Sequence, residues 1–234
     1  MKKSIGILGG MGPLATADLL RKIVLLTASD TDGGHVRVYV DDNPAIPDRT
    51  AAILSGGADP VPAMTESLRK LEACGADCIV MPCNTAHYFL PRLQPLTPIP
   101  FLSMPQAAAR TCGDLFPGKR AGILATRGTL DAGIYQQALD VQGAHWTAPD
   151  REAQDTLMDV IYNGVKAGRP PEAYRSQFLS VLERMPRADY FILGCTELPL
   201  AVQALALDIP AVDPTEEIAR TAIRFCGYPT RPRP

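Results

Sequence analysis

Two stretches of the sequence, "ADCIVMPCNT" at 76–85 and "ADYFILGCTE" at 188–197, repeat one pattern. Each begins with Ala-Asp, continues as a short apolar run, and then reaches a cysteine that is followed by polar residues. Short apolar runs of this kind are typical of buried strands, and Asn and Thr are favoured where a helix begins. The pattern predicts, twice in one chain, a buried strand that leads into an exposed cysteine and a helix N-terminus.

Other landmarks repeat in the same order and at nearly constant separation. The matched pairs are Gly6 with Gly122 (116 residues apart), Cys83 with Cys195 (112) and Pro100 with Pro210 (110). Between them β-rich runs alternate with longer amphipathic segments, which is typical of βαβ units around a parallel sheet. We therefore predict an α/β fold with two similar Rossmann-like domains, related by a pseudo-twofold axis, in preference to a single doubly wound sheet. The expected domains are residues 1–102 plus 210–234, and residues 103–209.

The composition argues against several classes of partner. The 234 residues carry 23 Lys and Arg against 25 Asp and Glu, a net charge of −2, and like charges do not form blocks. Nucleic acids and anionic membranes are therefore not expected to bind. The opening "MKKSIGILGG" has too short an apolar run for a signal peptide and predicts the first strand. Since no apolar stretch is long enough to cross a bilayer, we expect a soluble, cytoplasmic protein.

The cysteines divide into two groups. Six cysteines without a C-x-x-C pair or a secretory signal are expected to be thiols, and three dispersed histidines do not predict a zinc site. Four are predicted to fill the core as small apolar residues: Cys74, Cys78, Cys112 and Cys226.

Cys83 and Cys195 occupy the predicted carboxyl ends of strands, where open parallel sheets bind ligands. The partial positive charge of a helix N-terminus is expected to lower the pKa of both thiols from about 8.5 toward neutrality. Inversion of a carbon centre needs a base on one face and an acid on the other. A thiolate and a thiol on opposite walls of a cleft between two related domains would supply both.

Three motifs resemble those of one family. They are "GGMGP" at 9–13, "PCNTAH" at 82–87 and "GCTELPL" at 194–200, and together they resemble the cofactor-independent aspartate/glutamate racemases over essentially the whole chain. The resemblance implies two α/β domains, an active site between them, a homodimer and no pyridoxal phosphate or other cofactor. It also implies that Cys83 and Cys195 are the two acid/base residues. Because the third motif has Cys-Thr-Glu where the glutamate racemases have Cys-Thr-His, the chain resembles the aspartate racemase branch.

The resemblance further implies a set of substrate-binding residues. Donors near the α-carboxylate and the amino group would come from Asn84, Thr85 and Thr196. The "ATRGT" turn would bind a carboxylate through Thr126 and Thr129, and the glycine loop would approach the substrate at Met11 and Gly12. The distal carboxylate would be bound by Arg49 and Lys166, and Glu197 would stand in place of the histidine.

Several of these residues also have simpler explanations. Threonine and asparagine cap helices and form turns, and Glu197 is an acid in a first helical turn, where the helix dipole favours it. Lys166 ends a predicted helix, where lysine is favoured without a ligand. Arg49 differs, because it stands at a predicted helix start that disfavours a cation. A bidentate bond to a carboxylate would explain its presence there.

Other functions fit the residues less well. Gly10, Gly12 and Ala15 match a relaxed dinucleotide-binding fingerprint, but the acid expected about 20 residues further on is missing. The nearest candidates, Asp41 and Asp42, follow Gly12 by 29 and 30 residues. A glutamate or broad Asp/Glu racemase, a related maleate isomerase or arylmalonate decarboxylase, and a non-catalytic amino-acid-binding protein remain as alternatives. Two cysteines argue against the decarboxylase and against a binding protein, which needs no second thiol, and the pair Arg49 and Lys166 argues for an amino diacid as substrate.

Overall fold

The computed structural model describes residues 2–233, which form two compact units. One unit comprises the chain up to Met104 together with Thr215 onward, and the other comprises Pro105–Pro214. The predicted α/β architecture with two parallel sheets is confirmed. Within residues 2–233, no helix combines the length and the apolar composition that are needed to cross a membrane.

The first unit is built around a parallel sheet of order β2-β1-β3. Its elements are β1 (Ser4–Gly9), α1 (Pro13–Leu26), β2 (Arg37–Asp42), α2 (Arg49–Leu54), α3 (Val61–Ala73), β3 (Cys78–Val80) and α4 (Leu90–Leu93), with short 3-10 turns at Asp32–Gly34, Thr85–Phe89 and Gln94–Leu96. The C-terminal helix α11 (Pro214–Phe225) packs through Ile218 and Ile223 into the core that contains Ile5 and Ile7 of β1. Leu8 and Ile79 point into a second core beneath α3, so β1 and β3 are buried on both faces, as strands of parallel sheets usually are, whereas the edge strand β2 is partly exposed.

The second unit contains a parallel sheet of order β5-β4-β6-β7. Its elements are α5 (Met104–Leu115), β4 (Arg120–Leu124), α6 (Arg127–Asp131), α7 (Ile134–Val141), β5 (His145–Thr147), α8 (Arg151–Asp159), a π-helical turn (Val160–Val165), a 3-10 turn (Pro171–Ala173), α9 (Arg175–Glu183), β6 (Tyr190–Leu193), α10 (Glu197–Ala204) and β7 (Ala211–Val212). Ile123 and Ile192 face one core, and Leu124 and Leu193 face the other.

The sequence repeat is a repeat of hydrogen bonds. Asp77 accepts from the backbone N–H of Ser4 at 2.7 Å, and Asp189 accepts from that of Arg120 at 2.7 Å. In return, the N–H of each aspartate donates to the carbonyl of the same partner. Each aspartate therefore fixes the start of a strand against its neighbour, which explains why both stretches begin with Ala-Asp.

The repeated glycines are required by close strand packing. Gly6 pairs with Ile79, and Gly122 pairs with Phe191. A Cβ at Gly6 would lie 2.9 Å from the Cβ of Ala76, and one at Gly122 would lie 2.8 Å from the Cβ of Ala188. Real Cβ atoms do not approach so closely, because interiors are already packed at crystal density. Glycine opposite alanine is thus a steric requirement that both units share.

The division between the units differs from the predicted boundaries. The sequence placed residue 210 and all that follows in the first domain, but β7 pairs with β6, and residues 210–214 belong to the second unit. The equivalent segment of the first unit makes only an isolated parallel bridge, between Phe101 and Ile79. The chain passes from the first unit to the second after Met104, two residues later than predicted.

One of the four cysteines that were predicted to fill the core does not. Cys78, Cys112 and Cys226 are fully buried. The prediction for Cys74 is wrong, because α3 ends at Ala73 and Cys74 lies exposed at its C-cap.

Candidate active site

Cys83 and Cys195 follow equivalent strands but are buried. Each is 7% exposed, so the prediction that they are exposed is wrong. Cys83 packs in the core that contains Met81 and Phe89, and Cys195 packs in the core that contains Leu198. The strands end two or three residues earlier, and the chain then stays within the core before the next helix begins.

The backbone of Cys83 is held by a buried histidine that the sequence analysis did not select. His87 Nδ1 lies 3.0 Å from the carbonyl oxygen of Cys83, and Nε2 lies 3.1 Å from the backbone nitrogen of Met104. A backbone N–H can only donate, so Nε2 is the acceptor and Nδ1 carries the proton that it donates to Cys83. Burial lowers the pKa of His87 to about 4, which leaves the ring neutral. The signal in the sequence is the spacing of four residues between Cys83 and His87 in "PCNTAH".

Asn84 and Thr85 are buried beside Cys83, at 3% and 6% exposure. Asn84 is the N-cap residue, as predicted, but the helix that follows is the 3-10 turn Thr85–Phe89 rather than an α-helix. The backbone carbonyl of Asn84 accepts from the N–H of His87 at 3.1 Å.

The glycine loop after β1 is held by internal bonds. Gly10 has a φ of +89°, and a Cβ there would lie 2.2 Å from the backbone of Asn43, so only glycine fits. The hydroxyl of Thr16 accepts from the N–H of Gly10 at 2.9 Å, and it donates to the carbonyl of Gly12 at 3.2 Å. Gly12 is the N-cap of α1, and a Cβ at Gly12 would meet nothing within 4 Å. The loop is therefore rigid at Gly10 and sterically open at Gly12.

Arg49 is buried and binds this loop. Its guanidinium donates to the carbonyl of Met11 at 3.1 Å and to those of Ile46 and Pro47 at 3.2 and 3.0 Å. Bonds to several carbonyls offset the cost of burying a cation. They also explain why an arginine stands at the start of α2, where Asp48 caps the helix by accepting from Ala51.

Cys195 lies against a carboxylate. Its Sγ is 2.9 Å from Glu197 Oε2, which also accepts from the hydroxyl of Thr196 at 3.1 Å. Lys166 Nζ is 3.8 Å from the other oxygen of Glu197 and 4.6 Å from the ring centroid of Tyr162. Thr196 and Glu197 are buried, whereas the Lys166 side chain is 26% exposed. Four of the residues selected from the sequence thus meet in one cluster of the second unit.

The pKa of Cys195 differs from the prediction. Burial raises the pKa of this thiol well above its usual value, and the negative charge of Glu197 raises it further, while Lys166 acts in the opposite direction. The predicted lowering by a helix N-terminus is therefore wrong for Cys195. The physical reason is that a carboxylate 2.9 Å away and the loss of water both disfavour a thiolate.

Thr126 and Thr129 form the predicted turn. Thr126 is the N-cap of α6, and its hydroxyl accepts from the N–H of Thr129 at 3.3 Å. The two hydroxyl oxygens lie 3.0 Å apart and both residues are buried. Gln154 anchors the preceding residue, since its amide donates to the carbonyl of Ala125 at 3.0 Å.

Comparison with known proteins identifies the family. The family described as Asp/Glu/Hydantoin racemase matches residues 8–222. The chain is 27% identical over 233 residues to the broad specificity amino-acid racemase RacX of Bacillus subtilis, covering 94% of this chain and 96% of that protein. It is 28% identical to a glutamate racemase of Oceanobacillus iheyensis over 61% of this chain and 53% of that one.

Solved structures give the same result. The aspartate racemase of Picrophilus torridus superposes with a TM-score of 0.87 at 30% identity, covering 98% of this chain and 96% of that one. An aspartate racemase homologue from Pyrococcus horikoshii superposes with a TM-score of 0.74 at 22% identity, over 96% of this chain and 99% of that one, which shows the shared fold. Racemases are isomerases, and this chain belongs to the Asp/Glu/hydantoin racemase family.

Proposed function

We propose that the protein racemises an acidic amino acid, aspartate first, without pyridoxal phosphate, and that Cys83 and Cys195 are its two acid/base residues. The observation that carries the proposal is the equivalence of the two cysteines. Each follows the strand that pairs with the repeated glycine of its own unit, and each is 7% exposed. Duplication of a buried thiol is unnecessary for binding alone, but a two-base inversion requires it.

In the proposed reaction one cysteine, as thiolate, takes the α-proton. The C–H electron pair remains on carbon as a carbanion, and the thiol of the other cysteine protonates it on the opposite face. The mechanism requires both sulfur atoms to reach one α-carbon from opposite sides. Donors from Asn84, Thr85 and Thr196 would bind the α-carboxylate and stabilise the charge that develops next to it.

The acidic side chain of the substrate would be recognised in two ways. Lys166 is the partly exposed cation of the Cys195 cluster and would attract the distal carboxylate. Arg49 would add positive charge, and it would also keep Met11 and Gly12 in place, because it binds the Met11 carbonyl. Thr126 and Thr129 provide a second group of hydroxyls at a helix N-terminus, which favours anions.

Aspartate is supported by the similarity to the Picrophilus torridus aspartate racemase and by Glu197, which follows the second cysteine by two residues. The second candidate is a racemase of glutamate or of a broader range of amino acids. It is favoured by the similarity to the Bacillus subtilis broad specificity racemase, which covers 94% of this chain.

The test is incubation of the purified protein in D2O with L-aspartate and, separately, L-glutamate, without added cofactor. Uptake of deuterium at the α-carbon is followed by NMR and the enantiomers by chiral chromatography. We expect deuterated D-aspartate to form. Cys83→Ser and Cys195→Ser should each abolish inversion, whereas Cys74→Ser, which alters the exposed thiol, should not. Binding without exchange would support an amino-acid-binding protein instead, and full turnover by either site variant would reject the two-thiol mechanism.

We also propose that the active form is a homodimer in the cytoplasm. Light scattering coupled to size exclusion is the test, and a mass near the 25.1 kDa of one chain would reject the dimer.

A further inference from the structure

We infer that Glu197 is a positioning residue that keeps the exchangeable proton on Cys195 in the free enzyme, so that Cys83 is the thiol that starts as the base. This inference rests on the two-thiol racemase function proposed above. It assigns different resting states to two cysteines that the repeat makes equivalent.

The contact itself requires a proton on sulfur. Cys195 Sγ and Glu197 Oε2 are 2.9 Å apart, and an ionised carboxylate can only accept hydrogen bonds. The same oxygen accepts from Thr196, whose hydroxyl orients it toward the thiol. Lys166 Nζ lies 3.8 Å from the other oxygen of Glu197. The bond between Cys195 and Glu197 is thus a thiol donating to a carboxylate.

The groups that face Cys195 carry charges of opposite sign. Glu197 at the start of α10 disfavours the thiolate, and Lys166, after the π-helical turn, favours it. Tyr135 of α7 also faces Cys195, and burial raises the pKa of this phenol well above its usual value, so it contributes no charge. The carboxylate in direct contact and the loss of water together outweigh the single ammonium, because burial and Glu197 are the two largest influences on Cys195.

The two copies of the sequence repeat differ two residues after the cysteine. The residue two positions after Cys195 is Glu197, whereas the residue two positions after Cys83 is Thr85. Cys83 also has the neutral ring of His87 bound to its carbonyl. A neutral ring and a threonine do not oppose a negative charge on sulfur as a carboxylate does.

The proton balance then follows for one turnover. The Cys83 thiolate forms an S–H bond as the α C–H bond breaks, and the carbanion forms a new C–H bond as the Cys195 S–H bond breaks. The product state has a thiol at Cys83 and a thiolate at Cys195 beside the Glu197 carboxylate. That arrangement places two negative charges in contact, so Cys195 must regain a proton from solvent and Cys83 must lose one before the next turnover.

Unequal resting states of the two cysteines should make kcat and KM differ between the two enantiomers. Racemisation has an equilibrium constant of unity, so kcat/KM must be equal for the two enantiomers whatever Glu197 does. The asymmetry therefore appears in kcat and KM separately, because the enantiomer that presents its α-proton to Cys195 reacts only with the minor protonation form of the enzyme.

The experiment measures the thiols directly and does not depend on turnover. Intact protein is treated with iodoacetamide over a range of pH, and alkylation of the peptides that contain Cys83 and Cys195 is quantified by mass spectrometry. Glu197→Gln keeps the size of the side chain and removes its charge. We expect the midpoint pH for alkylation of Cys195 to fall by at least about one pH unit, as is usual when a charge in contact is removed. The midpoint of Cys83 should stay the same.

The control is Glu183→Gln, which removes an exposed carboxylate at the end of α9 and should leave both midpoints unchanged. An unchanged or higher Cys195 midpoint in Glu197→Gln would overturn the inference. If that variant does not fold, Glu197→Asp replaces it, since a shorter acid keeps the charge but lengthens the contact; its Cys195 midpoint must also fall, by less. If the enzyme racemises, the high-pH limb of the kcat/KM profile of Glu197→Gln should move to lower pH. If the enzyme racemises but the Cys195 midpoint does not fall, the inference about Glu197 is rejected and the proposed racemase function stands.

Discussion

His87 binds the backbone carbonyl of Cys83 through Nδ1 at 3.0 Å, four residues further along the chain. Through Nε2, at 3.1 Å, it also accepts the N–H of Met104, where α5 begins. Both bonds need a neutral ring with one particular proton position, so the chain around the first cysteine depends on the protonation state of a single buried side chain.

His87 predicts how stability depends on pH. Its pKa is about 4 in the folded protein and about 6.5 when unfolded, so between these values the unfolded chain binds a proton that the folded protein does not. Stability should therefore decrease as the pH falls from 6.5 to 4, by about 3 kcal/mol from this residue. Urea unfolding at pH 7 and pH 4 measures it. His87→Gln, whose amide can replace both bonds, should lose about 3 kcal/mol less over that interval, and an equal loss would contradict the prediction.

Arg49 should contribute to stability independently of substrate. Arg49→Leu leaves three carbonyls without their guanidinium partner, and two of them, those of Met11 and Ile46, are buried, so we expect a loss of at least about 2 kcal/mol in the free energy of unfolding. Arg92→Leu is the control, because Arg92 forms a solvent-exposed ion pair with Asp59, and the loss of such a pair should change the free energy of unfolding far less than Arg49→Leu does. Equal stability of Arg49→Leu and the unmodified protein, with activity lost, would assign Arg49 to substrate binding alone.

The glycine loop should tolerate substitution at one position and not at the other. Gly10→Ala would force a Cβ to 2.2 Å from the backbone of Asn43 at a positive φ, and we expect a loss of at least about 2 kcal/mol or failure to fold. Gly12→Ala meets nothing within 4 Å and should change stability by less than about 1 kcal/mol. Thermal unfolding compares the two. A loss of activity in a stable Gly12→Ala protein would indicate that the substrate passes close to this residue.

The six thiols should react in two phases with a thiol reagent such as Ellman's reagent. Cys74 is exposed and the other five are buried, so the native protein should show one fast thiol, and the five buried thiols should react more slowly. Cys74→Ser should remove the fast phase and leave the slow one. A fast thiol that remains in that variant would show that one of the buried cysteines, Cys83 or Cys195 above all, is more accessible than the structure indicates.

Much of the fold followed from local pattern. Short apolar runs and amphipathic segments predicted the strands and helices, and the nearly constant offset of Gly6, Cys83 and Pro100 from their partners predicted the duplication. The boundaries were harder to predict. The two residues of β7 belong to the second unit because they pair with β6, and a pairing between distant segments leaves no local signal in so short a run.

The site was predicted in part, and its electrostatics were not. The residues around Cys195 came together as selected, but the sequence suggested a lowered pKa because it shows the helix start and does not show where the side chain of Glu197 points. His87 was missed because a buried histidine is an ordinary core residue until its two partners are known. Orientation and loss of water are properties of the folded chain, which a pattern of residue types does not contain.

The pairs Asp77 with Ser4 and Asp189 with Arg120 show that one structural module is present twice in a single polypeptide. Two identical modules encoded once could assemble only as equals, and a substitution after one cysteine would appear after both. Covalent linkage of the copies removes that restriction, since each half can accumulate its own changes. Thr85, two residues after Cys83, and Glu197, two residues after Cys195, are such a difference between the halves.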